Sequence, residues 1–415
     1  MAYFNFRPIV VLIRLCDCRH RGAFRRVLIP VVLLCLTLTS VRGQVSDEIS
    51  FRKHTLDLGR NETCAVADLN GDGRLDIVSG ENWYEAPSWH KHRFRSFPTR
   101  NNYIDVFSDL PLDVDKDGHV DVVSVSYMSR KMAWFRNPGK ADATWKESVI
   151  DSGAPVEFAF LVDMDNDGVA AEVLPQFGGA DNGTAWYEVV EKGNATAWAK
   201  HEVHERSFGH GIGAGDIDGD GRNDILTPKG WLKAPADPRE SGWEYRPDYD
   251  TEGGAGYLFV HDMNGDSIND IVTTMAHDYG VFWLEQAAPG SEGPKWKKHV
   301  VDDAWSQGHA MTIADLTGDG RPELVTGKRL FAHNGHDPGG REVLGLFWYD
   351  KVSDGAEWVR HIVHYGGRVG GGMQIPVVDL DRDGDPDIVV AGKGGVFVFE
   401  NLSRRPARPP GRIQD

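Results

Sequence analysis

The sequence predicts an all-β protein, a seven-bladed β-propeller of four-stranded blades in which an N-terminal strand closes the last blade. Three observations carry this reading. An acidic loop of the form Asp-x-[Asp/Asn/Thr]-x-Asp-[Gly/Ser] recurs seven times, starting at Asp68, Asp113, Asp163, Asp216, Asp262, Asp315 and Asp379. Each copy stands between two short apolar runs, as the sixth does between Ala310-Met311-Thr312-Ile313-Ala314 and Glu323-Leu324-Val325-Thr326. The last repeat stops after its third strand at Glu400, while Phe51-Arg52-Lys53-His54, spaced like an outermost strand, precedes the first loop. A fixed period marks a repeat architecture, and joining the two chain ends in one blade leaves no sheet edge open. An open solenoid, the alternative, has no use for a strand supplied from the far end.

The first strand of each repeat is the apolar run ahead of the loop, and the second follows it (Leu75-Asp76-Ile77-Val78; Asp270-Ile271-Val272). The third is aromatic, as in Trp83-Tyr84-Glu85, Trp134-Phe135-Arg136, Trp186-Tyr187-Glu188, Trp283-Leu284-Glu285, Trp348-Tyr349-Asp350 and Phe397-Val398-Phe399-Glu400. The fourth sets a tryptophan three residues before a histidine: Trp89/His92, Trp198/His201, Trp296/His299 and Trp358/His361. Because His54, His92, His201, His299 and His361 recur with the repeat, they are assigned to blade packing.

Each loop offers oxygens at positions 1, 3 and 5, a sharp turn at 6 and, in most copies, a carboxylate at 9. This is the front half of an EF-hand ligand order, which suits calcium. The bidentate Glu at position 12 is absent and the flanks are strands, so these are not helix-loop-helix sites. The expected ligands are Asp68, Asn70, Asp72 and Asp76; Asp113, Asp115, Asp117 and Asp121; Asp163, Asp165 and Asp167; Asp216, Asp218, Asp220 and Asp224; Asp262, Asn264, Asp266 and Asp270; Asp315, Asp319 and Glu323; and Asp379, Asp381, Asp383 and Asp387. Three copies depart from the pattern. The third has Ala171 at position 9 with Glu172 one place late, the fifth has Ser267 in place of glycine, and the sixth has Thr317 at position 3. One loop alone is weak evidence; seven in register make several structural calcium ions the expected cofactor.

Asp68-Leu69-Asn70-Gly71-Asp72-Gly73-Arg74-Leu75-Asp76 resembles the motif of the FG-GAP or VCBS repeat proteins, the integrin-α-like propellers, and the resemblance runs over about residues 49–402. It implies the fold and calcium, and it leaves function open, since such propellers serve both in ligand binding and as enzyme domains. Gly209-His210-Gly211-Ile212-Gly213-Ala214-Gly215-Asp216 and Leu226-Thr227-Pro228-Lys229-Gly230-Trp231 are also similar to the propeller part of aldos-2-ulose dehydratases, a carbohydrate-processing group.

Residues 1–43 read as a signal peptide or signal anchor: Arg21, Arg25 and Arg26 precede an apolar run from Val27 to Leu38, and Val41-Arg42-Gly43 offers a cleavage site. The domain expected next is the propeller, 44–402, followed by a proline- and arginine-rich disordered tail, 403–415. The expected location is extracytoplasmic, with membrane contact only through an uncleaved anchor. Three of the four cysteines fall in the leader, which leaves Cys64 without an intramolecular partner. The chain carries a net charge of -17. Loop positions 1, 3, 5 and 9 hold 24 carboxylates, so most of the acidity is metal ligation, and nucleic acid is excluded as a partner. Asn61-Glu62-Thr63, Asn182-Gly183-Thr184 and Asn194-Ala195-Thr196 match the glycosylation sequon.

In a blade whose strands run outward from the axis, the acidic loops lie on one face. The loops leading into the first strand and those following the second lie on the other, where variable loops over a rigid frame place binding residues. The former hold Tyr103, Glu157, His210 and His309; the latter hold Tyr127 with Arg130, Lys229 with Trp231, His277-Asp278-Tyr279, Lys328-Arg329 with His333 and His336, and Lys393. Gathered at one mouth, these cationic and aromatic groups suit a sugar acid, keto sugar, polysaccharide or other small polar ligand. His309, His333 and His336 also offer the imidazoles of a transition-metal site. Bland readings stand beside these: His210 and His309 as channel filling, His333 and His336 as flanks of an Asn334-Gly335 turn, Lys328 and Arg329 as solvated charges.

Two functions follow. The mouth binds a carbohydrate without chemistry, with Tyr103, Glu157, Lys229, Trp231, His277, His333 and His336 as ligand-binding residues. Alternatively, as the dehydratase resemblance implies, it eliminates water or a glycosyl group from a keto sugar or uronide. There His309 or His210 acts as base, Arg329 or Lys328 stabilises the enolate, and Tyr279 or Tyr103 donates the proton. The sequence assigns neither enzyme status nor an oligomeric state.

Overall fold

A computed structural model describes residues 48–193, 195–288, 290, 295–352 and 357–403. The expected leader, residues 404–415 of the expected tail and Asn194 lie outside the described residues. Short runs of β-branched and aromatic residues broken by acidic turns form strands, and these make seven four-stranded antiparallel sheets arranged in a ring. The fifth blade is typical: Ala255–His261, Asp270–Met275, Tyr279–Gln286 and Trp296–Ser306 pair in chain order. In the seventh, the strand Phe51–Asp57 pairs with Gly395–Asn401, Phe51 opposite Asn401 and His54 opposite Val398, so the chain ends meet as expected. A cluster of Cys64, Ile77, Tyr84, Val389, Val396 and Val398 packs the first blade on the seventh and seals the ring. Among the described residues, no helix is long and apolar enough to cross a membrane.

Within the blades, His92, His201, His299 and His361 stack on Trp83, Trp186, Trp283 and Trp348 at centroid distances of 4.2, 4.2, 4.3 and 3.7 Å. These four are packing residues, as the repeat suggested; His54, the fifth, meets Glu400 at 2.7 Å instead of stacking on a tryptophan. Glycine has a specific use at Gly213, where the innermost strand of the fourth blade touches that of the fifth. A Cβ there would sit 1.8 Å from Leu258 O, and one at Gly211 would sit 2.7 Å from Gly256 O, which explains these two glycines after His210.

The acidic loops share one hydrogen-bond scheme. The position-1 carboxylate accepts the N–H of position 6 in all seven copies, as Asp68 Oδ2 does from Gly73 at 2.8 Å and Asp262 Oδ2 from Ser267 at 2.8 Å. The position-9 carboxylate is buried and accepts the N–H of position 2, as Asp76 does from Leu69, Asp224 from Ile217 and Asp387 from Leu380. In five blades its other oxygen accepts an N–H at or just past the end of the third strand, such as those of Asn401 and Ala86. In the third blade Glu172 takes this place, reaching Met164 N–H at 2.8 Å; the loop absorbs the extra residue, so that Glu172 pairs opposite Val162 as Asp76 does opposite Ala67. Several carboxylates also meet basic side chains, including Asp117 with Arg136 at 2.9 Å and Asp165 with Arg239 at 2.7 Å.

Ser267 has φ +68°, at a position where the other six loops use glycine. A non-glycine residue there is strained, so Ser267→Gly is expected to stabilise the fold by about 0.5–1 kcal/mol, read from urea unfolding midpoints. Burial pushes the carboxyls of Asp76, Asp121 and Asp270 up to about 6, and those of Glu172, Asp224, Glu323 and Asp387 up to about 7. Groups raised on folding stabilise below their unfolded pKa and lose that contribution as pH rises through the folded value. Chelator-treated protein should therefore lose stability from pH ~4 to ~7. A flat melting temperature across that window would contradict this origin.

Candidate functional site

The acidic loops and the opposite mouth are separated by the length of the innermost strands. Glu157 begins the strand Val156–Val162, and Asp163 follows its end, about 20 Å away at strand rise. His309, near the start of Gly308–Ala314, and Asp315, just past its end, are separated in the same way. Two insertions meet over the mouth. A hairpin of Thr99–Arg100 and Tyr103–Ile104 carries Tyr103, whose hydroxyl donates to Phe331 O at 2.8 Å and accepts from Asn334 N–H at 3.2 Å. The sixth-blade insertion supplies His333, held at φ 50° between Phe331 at 46° and Asn334 at 59°. Three consecutive or near-consecutive left-handed residues other than glycine are costly, and such strain is typical of a side chain aimed for use.

Beneath these insertions lies a cavity of about 300 Å³ lined by Asn101, Tyr103, Phe107, Tyr127, Met128, Glu157, His210, His277, Arg329, His333 and Asn334. On its floor, a run of buried charges crosses the ring. Glu62 Oε2 accepts from Arg329 Nη2 and Lys393 Nζ, both at 2.9 Å, and Arg329 Nη1 donates to Glu157 Oε1 at 2.9 Å. Lys393 Nζ lies 3.7 Å from the Tyr103 ring centroid. Burial pulls Lys393 down to about 8 against the opposing charge of Glu62. Although burial works the other way, the His210 and Arg329 charges hold Glu157 well below the usual carboxylate range.

The imidazoles stand on the other side of Glu157. His210, His309 and His333 form a nearly equilateral triangle with centroid distances of 5.5, 5.9 and 5.4 Å. His277 stacks on His333 at 4.0 Å. Each Nδ1 is engaged: that of His210 donates to Ala255 O at 2.8 Å, that of His309 to Gln307 O at 3.2 Å, and those of His333 and His277 to Asp337 Oδ2 at 2.5 and 3.2 Å. Burial, then the charges of Arg329 and His210, hold His309 well below its ordinary value, and burial lowers His333. His277 is brought to about 4 by burial and by its histidine neighbours. The ligand atoms of Glu157, His210, His309 and His333 all lie within 4.8 Å of one another.

The structure thus brings together His309, His210, Arg329, Tyr103, Glu157, His277 and His333. It places five other expected site residues elsewhere. Lys328 ends its strand with Nζ buried against Ser306 Oγ at 2.7 Å. Tyr279 opens a third strand at the outer rim, where its hydroxyl donates to Glu342 at 2.6 Å. Lys229 pairs with Asp250 at 2.7 Å on the surface. The turn from Thr227 to Gly230 is so tight that Trp231 falls within the third strand, in a core cluster with Leu226 and Tyr249. His336 is exposed beyond the turn that carries His333.

Sequence reasoning passed over Glu62, Phe107 and Asp337. Glu62 leads into the first strand of the first blade, the place Glu157 holds in the third, and that equivalence was the available signal. Its sequon is not a modification site, because Asn61 is buried at 2% exposure.

Arg329 is the only described partner shared by Glu62 and Glu157 in hydrogen bonds. Arg329→Met strands buried carboxylates and is expected to cost about 3–5 kcal/mol in urea unfolding. Adding Glu157→Gln should recover part of the loss; no recovery would mean that the ladder is not the source.

None of the curated proteins matches the chain. Among solved structures, BBS1N in complex with ARL6DN aligns with a TM-score of 0.50 at 12% identity, covering 85% of this chain and 99% of that one. The β-propeller domain of Cps50 (Swd1) from Myceliophteria thermophila aligns at 0.48 and 12% identity, over 85% and 99%. An Agrocybe aegerita lectin that recognises non-reducing terminal N-acetylglucosamine aligns at 0.45 and 13% identity, over 73% and 79%. At such identities the likeness is one of fold. Neither these structures nor the family match extends to the dehydratase likeness of residues 209–216 and 226–231. The model of the FG-GAP-like repeat matches twice, at residues 113–174 and 262–326. Those segments are FG-GAP-like repeats, and the chain that carries them is a seven-bladed β-propeller.

Proposed function

We propose that this chain is an extracytoplasmic, calcium-loaded propeller that binds a carbohydrate at the mouth opposite its acidic loops. The observation that carries the reading is the cavity of about 300 Å³, in which the faces of Tyr103, Phe107 and Tyr127 stand beside Arg329, Glu157 and His210. Its size is at the lower end of small-molecule sites and accommodates a sugar ring. Aromatic faces pack the C–H side of such a ring, while the charged and imidazole groups meet its hydroxyls. Calcium is supported by oxygen clusters such as Asp113, Asp115 and Asp121, and Asp216, Asp218 and Asp224, each within 4.8 Å. Oxygen-only sets of this kind suit a hard cation.

One arrangement favours a second reading, elimination from a keto sugar or uronide. His210 Nδ1–H is held by Ala255 O at 2.8 Å, which leaves Nε2 at the cavity wall as the nitrogen able to act as base. In that reading His210 takes the proton next to the carbonyl, and the C–H electron pair becomes the new double bond. The β-oxygen leaves as water or an alcohol, its proton supplied by Tyr103, and Arg329 stabilises the enolate.

The test is a calorimetric and ultraviolet screen of neutral sugars, sugar acids and keto sugars. Binding that drops at least tenfold in Tyr103→Ala and Tyr127→Ala supports recognition. Appearance of an unsaturated product, lost in His210→Ala with binding retained, converts the assignment to a lyase. No binding by any member sinks both. For calcium, excess chelator should lower the melting temperature by many degrees at pH 7.5 and added calcium should restore it, since an ion bound only to the folded form stabilises it; an unchanged melting temperature overturns that part.

A further inference from the structure

We propose that Glu157, His210, His309 and His333 bind one divalent transition-metal ion, of the zinc type, on the floor of the mouth. The donor set is the first reason. Three imidazoles and one carboxylate select zinc and its first-row neighbours, whereas calcium takes oxygen ligands. The acidic loops on the other face offer no histidine among their ligand positions, so the two ends of the ring would hold chemically different ions.

The second reason is the orientation of the rings. Metal-bound histidine donates its second N–H to a carbonyl or carboxylate, which fixes the tautomer and aims the lone pair. Here Ala255 O, Gln307 O and Asp337 accept from the Nδ1–H of His210, His309 and His333. Nε2 is then the nitrogen free to ligate in each. Nε2 of His210 and of His309 is buried without a hydrogen-bond partner among the described residues, and His309 is 0% exposed. His210 Nε2 approaches Glu157 Oε2 to 3.2 Å. With Nδ1–H engaged, either a second proton on Nε2 or a metal ion bound by both atoms relieves the facing lone pairs in this buried site, and the two further imidazoles turned to the same point favour the ion.

Spacing is the third reason. Imidazoles around one tetrahedral ion, with metal–nitrogen distances near 2.0–2.1 Å, have ring centroids about 5 Å apart; the observed sides are 5.4, 5.5 and 5.9 Å. The carboxylate is prepared as well, with Oε1 held by Arg329 and Oε2 turned to the triangle. Electrostatics agree: Glu62, Glu157 and Asp337 outnumber Arg329 and Lys393 around the site. Because Glu157, His210 and His333 line the cavity, the ion is reachable from it. A hydroxyl or carbonyl oxygen of a bound ligand is the class of donor that would add to it as a fifth ligand.

The test uses the full chain, stripped of transition metals and kept in excess calcium so that the acidic loops are filled. Titration with Co²⁺ should give visible absorption bands of a low-coordinate nitrogen site that saturate at one ion per chain, and Zn²⁺ should displace them. His210→Ala and His309→Ala should weaken cobalt binding by about 100-fold or more, and Asp337→Asn by about tenfold. His333→Ala, on a half-exposed insertion, decides the matter if the buried variants do not fold. His90→Ala, at an exposed outer strand, controls for surface histidines and should match the wild type. Absence of the bands in the wild type overturns the site, as does unchanged affinity in folded His333→Ala. Metal binding is read without any sugar, so its failure leaves carbohydrate recognition standing, and failure of the sugar screen leaves the metal site standing.

Discussion

A buried carboxylate at the ninth loop position is the contact on which the rest of this molecule depends. Asp76, Asp121, Asp224, Asp270 and Asp387 each accept one backbone N–H from inside the loop and another from the end of the third strand or the residue after it. Each thereby ties three elements of a blade to one point. An unpaired buried carboxylate would be destabilising, so the arrangement is all or nothing, and it fixes the loop relative to the sheet. Repeated around the ring, it makes one end of the propeller rigid and uniform, while the far end of each innermost strand is free to differ from blade to blade.

The mouth uses that freedom. Glu62, Glu157, His210 and His309 occupy equivalent leading positions in the first, third, fourth and sixth blades, and each projects a different group toward the same space. The second-strand ends add Arg329 and Lys393 from the sixth and seventh blades. No two adjacent residues of the cluster need be near in sequence: Glu62 and Lys393 are 331 positions apart. Ring closure is therefore a condition for the site, because the strand Phe51–Asp57 that completes the seventh blade also fixes where Glu62 begins.

The buried ladder and the imidazole triangle share Glu157, with one oxygen on each side. His210 and Arg329 together keep that carboxylate ionised although it is buried, Arg329 orients it, and the burial of Arg329 is tolerable only because two carboxylates accept its donors. Three of the four imidazoles next to it are held below their ordinary pKa, chiefly by burial. Neutral rings with engaged Nδ1–H groups present lone pairs rather than donors to the cavity, which gives this end of the ring a character distinct from the oxygen-rich loops.

The local code of the chain was enough for the blades. Period, acidic loops, aromatic third strands and the recurrent fourth-strand histidines are readable in order because each is set by neighbours within some tens of residues, and the displaced outer strand at Phe51 was the one long-range clue the pattern contained; that the histidines stack on third-strand tryptophans rather than on those three residues before them was decided by strand pairing. Glu172 shows the limit of counting: one place late by position, it does the work of position 9 because the loop takes up the extra residue and strand register returns it to the same place opposite Val162. At the mouth, the sequence nominated loops but not which of their side chains converge. Lys328 and Trp231 stand in the right segments, yet strand register turns one toward Ser306 and buries the other in the core, and Tyr279 points to the rim. Glu62 and Asp337 read as a sequon neighbour and a turn residue until the fold set them against Arg329 and His333. Local spacing dictates hydrogen bonding within a blade, whereas the direction of a loop side chain is decided by what the other blades place opposite it.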